Sequence, residues 1–105
     1  MGTEKVVYIL GPIDGVPDYW EAFEKAEDAL SARGFIPLSP SRLPEGMKPA
    51  QTAHIRLAML ESADAVLVLP GFGRNKDAML EYRYLQYSQK PYGMNIDELE
   101  EVRDL

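Results

Sequence analysis

Two apolar runs in this chain end in the same punctuation. Val6, Val7, Tyr8, Ile9 and Leu10 stop at Gly11-Pro12, and Ala65, Val66, Leu67, Val68 and Leu69 stop at Pro70-Gly71. Both runs are continuous rather than alternating, the pattern of strands covered on both faces. Helical periodicity follows each turn, so the chain reads as strands alternating with helices. That alternation predicts an α/β fold: a small, flavodoxin-like (Rossmann-like) parallel sheet of about four strands with helices on both faces. Open sheets of this kind bind ligands beyond the carboxyl ends of their strands. The two glycine turns therefore mark the end of the molecule where a site belongs.

The spacing predicts a first strand over 5–10 and a helix over 18–33, with Trp20, Phe23, Ala26 and Leu30 on one apolar face. Asp18 and Glu21 resemble a capping box, and Gly34 is the stop. A short strand over 35–38 carries Pro37, which predicts an edge position or a strand end. Residues 39–48 form a long loop bearing proline and glycine, of the kind that carries function. A second helix over 49–62, a third strand over 65–69, a third helix over 76–89 and a brief strand over 91–94 complete the order. Residues 96–105 are acidic and read as a terminal helix or a frayed tail.

Composition limits the chemistry. At 105 residues the chain reads as one domain. It has no cysteine, which excludes thiolate nucleophiles and zinc–sulfur sites, and His54 is its one histidine, which leaves no histidine-rich metal site. The net charge of −6 argues against broad nucleic-acid binding, which needs a basic surface. No apolar run approaches the roughly 18 residues of a membrane span, and the first residues resemble no signal peptide. These features predict a cytoplasmic protein that uses no cofactor and no metal.

Residues 71–76 lie between an apolar strand and a helix start, where free backbone N–H groups and the helix dipole suit a phosphate. Gly71 and Gly73 allow close approach, Arg74 and Lys76 add charge, Asn75 is a good N-cap, and Asp77 suits the positive helix end. The plain alternative is an ordinary loop with solvated bases. Glu81 falls beside the face of the third helix that carries Ala78, Tyr82 and Leu85, so it can reach a pocket or pair with a nearby base. A second apolar line, Leu80, Tyr84 and Tyr87, needs a cover. A homodimer, or a higher assembly, built on this helix supplies one; the acidic tail would supply another. Tyr8 reads as core or site, and Asp14 as a ligand contact or a turn residue. Arg42, Lys48, His54 and Arg56 read as a solvated face.

Three segments occur in order: Tyr8-Ile9-Leu10-Gly11-Pro12-Ile13-Asp14-Gly15, then Ala63-Asp64-Ala65-Val66-Leu67-Val68-Leu69-Pro70-Gly71, then Asn75-Lys76-Asp77-Ala78-Met79-Leu80-Glu81. Together they resemble the nucleoside 2-deoxyribosyltransferase superfamily. That superfamily includes nucleotide N-hydrolases and small phage and bacterial domains of unknown function. The resemblance implies cleavage of an N-glycosidic bond in a nucleoside or 5′-nucleotide. It makes Glu81 the nucleophile at the sugar C1′ and Tyr8 its positioning partner. It sets the position of Asn75 against the 5′ end of the substrate. The Gly11-Pro12 turn, with Tyr8 and Asp14, is then expected to hold sugar and base, and residues 71–76 the 5′ group. Arg56 stands where members usually carry an aspartate, and Asp77 where they carry glycine; Asp14 or Asp77 would then have to replace the lost acid. A domain of the same fold that binds a nucleotide without turning it over is the alternative, and a structural subunit that depends on a partner is a further one.

Overall fold

A computed structural model describes residues 4–101. Its elements run β1 (Val6–Leu10), α1 (Tyr19–Ala32), β2 (Ile36–Leu38), α2 (Pro49–Ser62), β3 (Ala65–Val68), α3 (Lys76–Ser88), β4 (Tyr92–Gly93) and α4 (Ile96–Glu101). The sheet order is β2-β1-β3-β4 and every pairing is parallel, which is the expected flavodoxin-like arrangement. The chain moves outward from β1 to β2, then crosses back past β1 to β3. With right-handed crossovers, that reversal puts α1 on one face and α2 and α3 on the other. The reversal point lies between β1 and β3, whose register pairs Tyr8 with Val66 and Leu10 with Val68.

Alternation along the strands then sorts the side chains. Val7, Ile9, Ala65 and Leu67 face α1 and α4 and pack with Phe23, Leu30, Phe35 and Leu99. Tyr8, Leu10, Val66 and Val68 face α2 and α3 and pack with Leu60, Ala78 and Leu85. The 96–101 segment of the acidic tail is thus a helix on the α1 face, remote from the second apolar line of α3. Leu80 and Tyr87 on that line stay 52% and 84% exposed, while Tyr84 is half-buried and donates to Glu61.

Local signals hold in detail. Gly34, at φ 83°, ends α1 in a Schellman turn: its N–H donates to the Ser31 carbonyl and that of Phe35 to the Leu30 carbonyl. Pro37 lies on the edge strand β2, where a missing N–H faces no neighbour. Two expectations at the start of α1 fail. Asp18 is left-handed at φ 58° and makes no side-chain cap, because side-chain capping requires an extended residue at that position. Trp20 is 52% exposed. Tyr19 takes the slot next to Phe23 instead, the two rings meeting edge-on with centroids 6.4 Å apart.

Candidate functional site

The site is built at the reversal point of the sheet. Tyr8 points from β1 onto the α2–α3 face and donates its hydroxyl hydrogen to Glu81 Oε1 at 2.6 Å. That length is typical of a hydroxyl on an ionised carboxylate. Arg56, from α2, sets its Nε 2.7 Å from Glu81 Oε2, and its Nη2 donates to the Gly11 carbonyl at 3.3 Å. Arg56 and Glu81 are each only 2% exposed, and Tyr8 is fully buried. The Nε–Oε2 contact is close, yet the N–H is not aligned on the oxygen, and Nε has no hydrogen-bond partner. A buried ion pair with one donor off its axis is an incompletely satisfied group.

Each side chain alters its neighbours. Burial pushes the Glu81 carboxyl up, Arg56 and the Tyr8 hydroxyl pull it back, and Asp77 pushes it up again, for a net rise. Burial and then the Glu81 charge hold the Tyr8 phenol well above its ordinary value. Burial acts to lower the Arg56 value, but Glu81, Tyr8 and Asp77 outweigh it and the guanidinium stays protonated.

A cleft of about 390 Å³ opens beside this triad. Its walls are the first turn (residues 13–17), Tyr19, Pro40 and loop residues 43–47, with Thr52 and Arg56 from α2. The long loop therefore supplies one wall. Arg42, just before the wall residues, is held to α1 by a bidentate contact with Glu27 at 2.5 and 3.3 Å. Glu81 and Tyr8 do not line the cleft; Arg56 does, and it covers the carboxylate.

Asp14 lines the cleft. Asp77 in the first turn of α3, ahead of slight desolvation, raises the Asp14 value against the pull of Arg56. Asn75 joins the two turns: its Oδ1 accepts from the Ala78 N–H at 3.0 Å, the cap of α3, and its Nδ2 donates to the Asp14 carbonyl at 3.1 Å. Gly11 sits where a Cβ would meet Leu69 and Phe23 at 3.0–3.1 Å. Gly71, at φ 87°, faces Pro12, so the two glycine turns adjoin. Phe72 anchors the second turn on Tyr82 at a centroid distance of 4.5 Å. Gly71, Gly73, Arg74 and Lys76 are exposed and lie outside the cleft wall. Among the described residues no three acidic or histidine side chains converge as metal ligands, and no helix is long and apolar enough to cross a membrane.

The residues alone put Arg56 on a solvated face, and only the resemblance put it at a site position; it is buried, not solvated. A signal existed. Arg56, Leu60 and Ala63 recur at helical spacing, and all three are buried. Asp64 also has a role not anticipated: its carboxylate accepts from the Val6 N–H at 2.8 Å and fixes the start of β1.

The sheet order defines the protein as a flavodoxin-like α/β domain, with a cleft and a buried Tyr8–Glu81–Arg56 cluster beside its switch point. The chain belongs to the family described as Domain of unknown function (DUF4406), whose model matches residues 5–92. No curated protein matches it.

Proposed function

We propose that this chain cleaves the N-glycosidic bond of a nucleoside or 5′-nucleotide, with Glu81 as the carboxylate that meets C1′. The observation that carries the reading is the 2.6 Å hydrogen bond from Tyr8 to Glu81 beside a cleft at the β1–β3 reversal. This is the pairing that the resemblance to nucleoside 2-deoxyribosyltransferases implies. Bond breaking of this kind passes through an oxocarbenium-like state. A fixed carboxylate stabilises that cation and can trap it as an ester. Tyr8 holds one oxygen of Glu81. Arg56 covers the other, so in this reading the guanidinium turns from Oε2 when the sugar enters.

The Arg56–Glu81 contact at 2.7 Å favours a second reading, binding without turnover. A panel of nucleosides and 5′-monophosphates, assayed for free base by chromatography, separates the two. Release that disappears in Glu81→Gln supports the enzyme. Release that survives this substitution removes Glu81 as nucleophile. Tight binding by calorimetry with no release supports the second reading, and preference for monophosphates supports a 5′-phosphate on residues 71–76. A homodimer on α3 belongs to the same proposal, because α4 leaves Leu80 and Tyr87 uncovered. Sedimentation of Leu80→Glu as a smaller species than wild type would support it, and a monomeric wild type would remove it.

A further inference from the structure

We infer that Arg42 is a positioning residue for the ligand cleft: its ion pair with Glu27 pins the wall formed by residues 43–47. The kinetic readout of this role rests on the proposed cleavage; the spectroscopic readout needs only the cleft.

Glu27 is a buried carboxylate that the proposed mechanism leaves unused. It lies on the face of α1 that carries Phe23, Ala26 and Leu30, a row where a leucine would serve the fold as well. A carboxylate in such a row needs a partner. Arg42, 15 residues away, supplies it: Nη2 donates to Oε1 at 2.5 Å and Nε to Oε2 at 3.3 Å. Glu24 and Asp28 of the same helix act on the guanidinium in the same sense.

Arg42 ends a short 3₁₀ turn, Pro40–Arg42, in which the Ser39 hydroxyl accepts from the Ser41 N–H at 3.3 Å. The Leu43 N–H donates to the Pro40 carbonyl at 3.1 Å, so the wall starts directly from this turn. Its far end is fixed at the start of α2, where the Lys48 N–H donates to Gln51 Oε1 at 2.9 Å. Between these posts, Leu43 and Pro44 carry no polar side-chain atom, and Glu45 and Gly46 are exposed. The Arg42 side chain is 73% exposed and that of Glu27 11%, so salt reaches the pair from the arginine side. Loosening the pair frees the wall while Phe23, Ala26 and Leu30 still hold α1. Affinity then falls, because a ligand must order a wall that the native protein holds ready. Glu81 stands behind Arg56, outside the cleft wall, so its chemistry is untouched.

The test uses Glu27→Leu, which removes the anchor and suits the apolar row. An uncharged probe, 2′-deoxyadenosine, makes salt act on the protein and not on the ligand. The variant should raise KM about two- to fivefold, keep kcat within about twofold, and unfold in urea no earlier than wild type. In wild type, KM should climb from about 0.05 to about 0.5 M salt as screening grows; in Glu27→Leu it should stay flat. Arg42→Lys keeps the charge without the planar fork and should fall between the two. Without any ligand, the Met47 methyl resonance should shift and the Leu43 amide exchange faster in Glu27→Leu. An unchanged KM that keeps its salt dependence overturns the positioning role. So does a parallel loss of kcat and urea stability, which marks a structural contact only. A wild type that releases no base overturns the proposed cleavage; the inference then falls only if the Met47 and Leu43 signals match those of wild type.

Discussion

On the face under α1 and α4, the strands contribute Val7, Ile9, Ala65 and Leu67, all aliphatic. One residue along on the same strand, Tyr8 turns to the other face and meets a buried glutamate and a buried arginine. The two faces share strands, length and depth, and differ in chemistry. Neighbouring residues of β1 thus serve separate ends, one closing a dry layer and the next orienting a charge. A buried ion pair is a poor way to stabilise a small protein, since a well-packed apolar pair of similar volume is often as good or better. Its place at the reversal point, against a cleft, fits a site rather than a core.

The largest effects break this comparison directly. Arg56→Met strands Glu81 without its cation and should cost about 3–5 kcal/mol in urea unfolding at neutral pH. The Glu81 value, raised already, rises further without the arginine. Stability attached to a raised carboxyl is present at low pH and lost as pH climbs through the folded value, so the deficit should shrink in acid. Adding Glu81→Leu to Arg56→Met should recover most of the loss; a double variant as weak as the single one would mean that the pair does stabilise the fold. Phe23→Ala, on the dry face, should also cost about 3–5 kcal/mol, but by the same amount at both pH values. A pH-dependent Phe23→Ala deficit would erase the distinction between the faces.

Smaller changes sharpen it. Tyr8→Phe removes one hydrogen bond to a charged group and should cost about 1.5–3 kcal/mol, while also slowing any base release more than a purely structural loss would. Asn75→Ala removes the α3 cap and its hold on the Asp14 turn; unfolding should register about 1 kcal/mol, the smallest of these effects.

What was legible in the sequence follows the range of the forces involved. α2 spans Pro49–Ser62 as expected, because its start is set by a proline and its end by a local break in periodicity. Gly34 and Asn75 were legible for the same reason: each acts on backbone within a few residues. Asp18 failed because a left-handed backbone turned a good capping residue away. At the site, Tyr8 and Glu81 are 73 residues apart, and only a motif resemblance joined them in advance. The burial of Arg56 was hidden by its charge. An isolated arginine on a helix reads as solvated, and the carboxylate that permits its burial comes from another segment. Likewise, the cleft wall from residues 43–47 depends on how a loop without periodicity folds back over the first turn.

Asn75 carries a mechanical consequence. One amide grips the first turn with its nitrogen and the start of α3 with its oxygen. The rim of the cleft and the first turn of the helix that bears Glu81 are therefore tied by one side chain, so a change at residue 75 reaches both at once.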